Sequence, residues 1–148
     1  MQTETIFQIV NTIALLAWIL LIVAPRWTWT RRIVISGGVP ILLSVAYLTL
    51  FVVFFGKTDG DFGSLAGVMK LFSDENVVLT AWIHYLVFDL FVGSWEVRDA
   101  QENNISHWFV VPCLVLTFLF GPIGFLLYHI IRFAVLRSRA EKSDVRTA

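Results

Sequence analysis

Residues 77–97, Val-Val-Leu-Thr-Ala-Trp-Ile-His-Tyr-Leu-Val-Phe-Asp-Leu-Phe-Val-Gly-Ser-Trp-Glu-Val, form an apolar run long enough to cross a bilayer as a helix, with His84 and Asp89 near its middle. An ionisable side chain at that depth costs about 2.5–3.5 kcal/mol on translocon-insertion scales. Two of them on one helix point to an internal polar cavity, and the rest of the chain is read around it. With 57% hydrophobic and 15% charged residues over 148 positions, and a mean hydropathy of +0.77, the chain is too apolar for a water-soluble domain.

Four stretches reach the roughly 20 residues that a helix needs to span hydrocarbon: 6–24, 33–55, 77–96 and 108–131. The expectation is an all-α integral membrane four-helix bundle, one transmembrane domain over 1–148, with a polar C-terminal tail at 137–148. Pro25 stops the first stretch, and the tryptophans and arginines of 26–32 mark an interface. Gly37, Gly38 and Pro40 predict a bend or a ragged entry to the second stretch. Gly121-Pro122-Ile123-Gly124 predicts a kink in the fourth, with a carbonyl near 118 left without its donor. Between the second and third stretches, Phe62, Leu65, Ala66, Met69 and Phe72 follow helical spacing. They predict a short interfacial helix, either a lid or a connector that packs its apolar side on the bundle.

Four crossings place both termini on the side of the 56–76 loop, with seven basic residues there against four on the other side. The positive-inside rule then puts both termini in the cytoplasm. Met1 to Thr5 lacks the basic start of a cleaved signal, and Val23-Ala24-Pro25-Arg26 offers no cleavage site. The first stretch is therefore read as a retained helix, no plastid transit peptide precedes it, and the expected location is a bacterial inner membrane. Eleven basic and eleven acidic residues cancel, so no nucleic-acid partner is indicated. The expected partners are the lipid bilayer and an apolar lipid substrate, and a homo-oligomer is compatible with the sequence.

Cys113 alone excludes an intrachain disulfide and a cysteine cage, and three histidines without HxxH or HxxxH spacing give no metal site. No phosphate-cradling glycine loop, dinucleotide fingerprint or Ser-His-Asp ordering is present. At about 100° per residue, Trp82, Tyr85, Asp89 and Glu96 share one stripe of the third helix, and His84 shares another with Phe88, Phe91 and Trp95. About 140° separates His84 from Asp89, which disfavours a direct hydrogen bond in a straight helix but lets both flank one cavity. Candidate partners for Asp89 are Asn11, Ser44, Tyr47 and the backbone freed by Pro122.

In a dry site a neutral carboxyl donates and a neutral imidazole accepts, which suits His84 and Asp89 to moving a proton. The competing reading is that Asp89 only clamps a helix pair by hydrogen bonds. A cleft lined by Trp82, Tyr85, Phe88 and Phe91, with Asn11 and Tyr47 nearby, suits a long apolar substrate entering from the bilayer. Glu96 with Arg98 and Asp99 reads as an ion-pair cluster at the interface, His129 as interfacial, and His107 as a solvated helix start.

Ala24-Pro25-Arg26-Trp27, Ala81-Trp82-Ile83-His84 followed by Asp89-Leu90-Phe91, Arg98-Asp99 with Glu102-Asn103, and Gly121-Pro122-Ile123-Gly124 are the decisive motifs. In them the chain resembles the abscisic-acid-deficient-four-like family, from about residue 6 to 131. Plant members are chloroplast membrane proteins needed for neoxanthin formation. The resemblance implies an isomerase of a xanthophyll end group, in which an epoxide opens to an alcohol while a proton leaves the polyene to create an allene. It implies no redox cofactor, with Asp89 as acid and His84 as base or the reverse. The substrate is then a carotenoid or another isoprenoid lipid. Two other readings stay open: a non-catalytic carotenoid-binding or complex-stabilising protein, and a proton-conducting or transport element.

Overall fold

The computed structural model describes residues 2–54, 56, 57 and 59–147, with side chains through residue 140. Among the described residues it is all-helical: α1 Gln2–Val23, α2 Gly38–Phe54, α3 Leu65–Leu71, α4 Glu75–Glu102, α5 His107–Phe120 and α6 Pro122–Thr147, with a π-helical stretch at Thr30–Ile35 before α2. The second expected stretch thus begins late. Residues 33–37 belong to the π-helical entry, and Gly37, at φ +90°, separates it from α2. Pro40 falls in the first turn of α2, where the N–H it lacks has no intrahelical acceptor, so it bends nothing.

Side-chain pairs fix the directions. Thr3 meets Glu75, Asn11 meets Trp82, and Gln101 reaches the Pro25 carbonyl, so α1 and α4 run parallel. Tyr47 lies against His84 and Ser94 donates to the Val34 carbonyl, so α2 returns antiparallel to α4. Asp74 starts α4 by accepting from the N–H groups of Asn76 and Val77. At 28 residues, α4 is about 42 Å long, more than a hydrocarbon core of about 30 Å.

The fourth expected crossing is not a kinked helix. The 108–131 stretch breaks at Gly121, and α5 and α6 fold back on each other as a hairpin. Thr117 donates to Glu96, Gly121 comes to rest on Asp89, and then Tyr128 and Arg132 both return to Asp99. Arg139 continues past them to the Asn103 and Asn104 carbonyls. Two glycines permit the reversal. Gly121 has φ +45°, in the left-handed half of the map, and a Cβ there would stand 2.9 Å from Asp89 Oδ1. A Cβ on Gly124 would lie 2.1 Å from the Thr117 backbone nitrogen, so the two arms touch backbone to backbone. Pro122 occupies the first position of α6, where its fixed φ helps and its missing N–H costs nothing.

This hairpin also overturns the expectation that both ends of the chain lie together. Because α6 runs parallel to α1 and α4, it ends at the Pro25 end of the bundle, opposite the start of α1.

The core has two parts. Near the Pro25 end, Trp18, Leu21, Leu90, Val110, Leu114 and Tyr128 are buried together, and Trp18 fits the notch left by Gly93. Toward the Gln2 end, Val10, Ala14, Leu43, Leu79, Ile83 and Leu86 form the second. Outside them the surface is apolar: Leu16 on α1, Ile41 and Val52 on α2, Leu119 on α5 and Leu126 on α6 are all exposed. The apolar stripe around α3 does not turn onto the bundle as a simple connector would, since Phe62, Leu65 and Met69 are each more than 60% exposed. By length and composition, α1 and α4 are able to cross a membrane, whereas α2 and α5 are shorter apolar helices.

Candidate functional site

A cavity of about 710 Å³ lies between the second half of α2, α3 with the loop before it, and the first half of α4. Its walls are Tyr47, Phe51 and Phe54 on one side, Phe62, Leu71 and Phe72 below, and Val77, Trp82, His84 and Tyr85 on the other. That size falls within the roughly 300–1,000 Å³ of ligand pockets. His84 is exposed in it, with its ring 5.7 Å from Tyr47 and 4.7 Å from Phe88. Trp82 stacks on Tyr85 at 5.4 Å and donates its indole N–H to Asn11 at 2.9 Å. Asn11 in turn donates to the Phe7 carbonyl, so it orients the Trp82 ring and is not part of the cleft wall.

The sequence placed His84 and Asp89 on one shared hollow, and here the structure differs. His84 lines the cleft; Asp89 is not among its walls. The 140° between them sends Asp89 to the face of α4 that receives the α5–α6 hairpin, under the Gly121 tip. Tyr85, one turn earlier on α4, is its electrostatic neighbour. Of the other candidate partners, Ser44 donates to the Pro40 carbonyl, Asn11 is taken by Trp82, and Tyr47 stands beside His84. Tyr85 lines the cleft and is also the electrostatic neighbour of Asp89. Phe88 and Phe91, expected in the wall, instead point outward, each more than half exposed.

Asp89 is one of three carboxylates on the hairpin-facing side of α4. Glu96, expected at a wet helix end, is fully buried, and Thr117 donates to its Oε1 at 2.9 Å. Among the described residues, Asp89 Oδ2 and Glu96 Oε2 are buried without a hydrogen-bond partner. Leaving such groups unpaired costs stability. The sequence hid Glu96 because its burial is supplied by α5, not by α4's own pattern. Asp99 is an ion-pair site as expected, but its partner is Arg132 at 2.7 Å, with Tyr128 donating at the same distance. His107 is not simply solvated, since its Nε2 bonds the Ile22 carbonyl at 2.8 Å, and His129 stacks on Trp95.

The Asp99–Arg132 pair pins the returning arm. Asp99→Asn or Arg132→Ala should each lower the stability of detergent-solubilised protein by about 1–3 kcal/mol, as expected for loss of a hydrogen bond to a charged group. The double variant should cost less than the sum. Strict additivity in thermal unfolding would show that the two side chains are not coupled.

No three His, Cys, Asp or Glu side chains converge as a metal site among the described residues. What the cleft does offer is the His84 ring nitrogens and the Tyr47 and Tyr85 phenols in one aromatic wall, the imidazole able to accept a proton and the phenols to donate. The sequence profile of the ABA DEFICIENT 4-like family matches residues 5–128. The chain belongs to that family. The match runs from α1 through the hairpin tip to Tyr128, so the cleft, Asp89 and Glu96 all lie within the family's shared extent. A curated relative, the chloroplastic Protein ABA DEFICIENT 4 of Arabidopsis thaliana, is 29% identical over 145 residues, covering 92% of this chain. The chain spans 64% of the length of that relative. A chloroplastic relative lends no support to a bacterial inner membrane as the location of this ABA DEFICIENT 4-like protein. No solved structure matches it.

Proposed function

We propose that this protein is a membrane-embedded enzyme that isomerises a carotenoid or another isoprenoid lipid by acid/base chemistry at the His84–Tyr85 wall. The observation that carries the reading is the aromatic cleft, whose lining brings together the ionisable side chains of His84, Tyr85 and Tyr47. Family membership and the chloroplastic relative, whose plant counterparts the sequence resemblance ties to neoxanthin, support the substrate class.

Embedding follows from exposure. The most apolar 18-residue windows of α1 and α4 are only 28% and 39% buried, whereas a soluble core helix would be mostly covered. Water against so much exposed apolar surface is unfavourable, and lipid satisfies it. In this setting α1, α2 and α4 cross the bilayer. The α5–α6 hairpin enters from the Pro25 end and turns at the depth of Asp89, its irregular backbone covered by protein.

In the reaction, one group protonates the epoxide oxygen as its carbon–oxygen bond breaks, and the other removes a proton from the polyene carbon as the allene forms. One proton is given and one is taken, so the product has the mass of the substrate. Tyr85 is the acid and His84 the base, and Asp89, one turn from Tyr85 on α4, is a positioning residue. This assignment replaces a direct role for Asp89.

The test compares lipid extracts of carotenoid-producing cells with and without the protein. A new isomer of unchanged mass is the expected result. Purified protein that retains coloured lipid without altering it would favour the binding-protein reading, which the apolar cleft also suits.

A further inference from the structure

We infer that the Pro25 end of the bundle is an anionic-lipid-binding face, seated on the negatively charged cytoplasmic leaflet surface, and that the cleft therefore takes its apolar ligand from the opposite leaflet. This rests on the membrane-embedded reading above, but not on any catalytic role.

The argument starts from the hairpin. A fourth crossing would have carried the C-terminal arm to the Gln2 end; the reversal at Gly121 carries it back to the Pro25 end. That end already has four cations, Arg26, Arg31, Arg32 and Arg98, and α6 adds Arg132, Arg137 and Arg139. Among residues with described side chains, seven of the nine basic ones thus lie at one end, and Lys57 and Lys70 at the other. Acidic residues lean the other way: Glu4, Asp59, Asp61, Asp74 and Glu75 are at the Gln2 end, and Asp99 and Glu102 at the Pro25 end. The molecule is electrically two-faced, by seven against two at one end and two against five at the other. The four-crossing topology hid this, because it split the cations seven to four.

A cationic face beside a span is drawn to anionic headgroups and retained on the cytoplasmic side. The same end exposes Trp27, Trp29 and Trp108, the last 84% exposed, as interfacial tryptophans are. At the opposite end, Phe62, Leu65 and Met69 are exposed around α3, which floors the cleft through Leu71 and Phe72. Their apolar surface places the cleft mouth at the headgroup-to-acyl boundary of the far leaflet, with Ser73 within reach of the aqueous phase.

The test uses the chain's own chemistry. Cys113 is its single cysteine and is buried, so it serves as a silent background. Ser73→Cys, next to the cleft floor, and Ser138→Cys, on α6, are both at exposed positions. On intact cells a membrane-impermeant maleimide should label Ser73→Cys and not Ser138→Cys, and after permeabilisation it should label both. Labelling of both from outside, or of Ser138→Cys alone, would overturn the inference. In a second arm, detergent-purified protein should retain phosphatidylglycerol over phosphatidylcholine, and Arg31→Gln/Arg32→Gln should weaken that preference. Equal retention of the two lipids would remove the anionic partner. Neither arm needs turnover, so a failed isomerase assay and a failed orientation remain distinct results.

Discussion

His84→Ala and Tyr85→Phe each lower carotenoid isomer formation by about 10²–10⁴-fold, the range for loss of a general acid or base, while the variants insert and melt like the parent. Stability is spared because His84 is exposed in the cleft and Tyr85→Phe keeps the ring that stacks on Trp82. Asp89→Asn separates positioning from chemistry. An amide keeps the size and polarity of the group beside Tyr85, so this variant should retain more activity than Tyr85→Phe and shift the pH profile of turnover without abolishing it. Conversion rates of added carotenoid, followed by chromatography, decide the matter. If both His84→Ala and Tyr85→Phe turn over normally, the cleft wall is not the reacting surface.

Gly124→Leu should prevent the hairpin from closing. A mere Cβ would stand 2.1 Å from the Thr117 nitrogen and 2.5 Å from the Cys113 carbonyl oxygen, both backbone atoms of α5 that cannot swing away. Overpacking a core commonly costs about 1–3 kcal/mol, and a leucine against backbone lies at or beyond the top of that range. The control is Leu126→Ala, two residues on and exposed on the outer face of α6, which should be nearly silent. Melting temperature and monodispersity in detergent report both. If Gly124→Leu melts like the parent, α5 and α6 do not pack backbone to backbone.

The elements legible in the sequence were those set by local pattern. The 77–96 stretch became the middle of α4 because its apolar length is a local property, and Asp74, three residues before it, caps the helix start. The wall residues Trp82, His84 and Tyr85 were legible for the same reason, since helical spacing fixes their order around one axis. Phe88 and Phe91 were misplaced because the same spacing fits any face, and only the docking of α2 and α3 chooses the one that becomes a cleft. Asp89 illustrates the limit most clearly. Its angle from His84 was readable, but which helix fills that angle was not.

By itself, then, the sequence determined that this chain is helical and apolar-surfaced, where α1 and the middle of α4 lie, and which ionisable groups sit mid-helix. These follow from composition, caps and the 3.6-residue repeat, all properties of neighbouring residues. Only the tertiary structure decided that Gly121-Pro122 reverses the chain, that Glu96 is buried, and that α6 ends beside Pro25. The physical reason is that a Gly-Pro pair permits both a kink and a turn at similar local cost. The choice between them is made by contacts with residues distant in the chain, Gly124 on Thr117 and Tyr128 with Arg132 on Asp99.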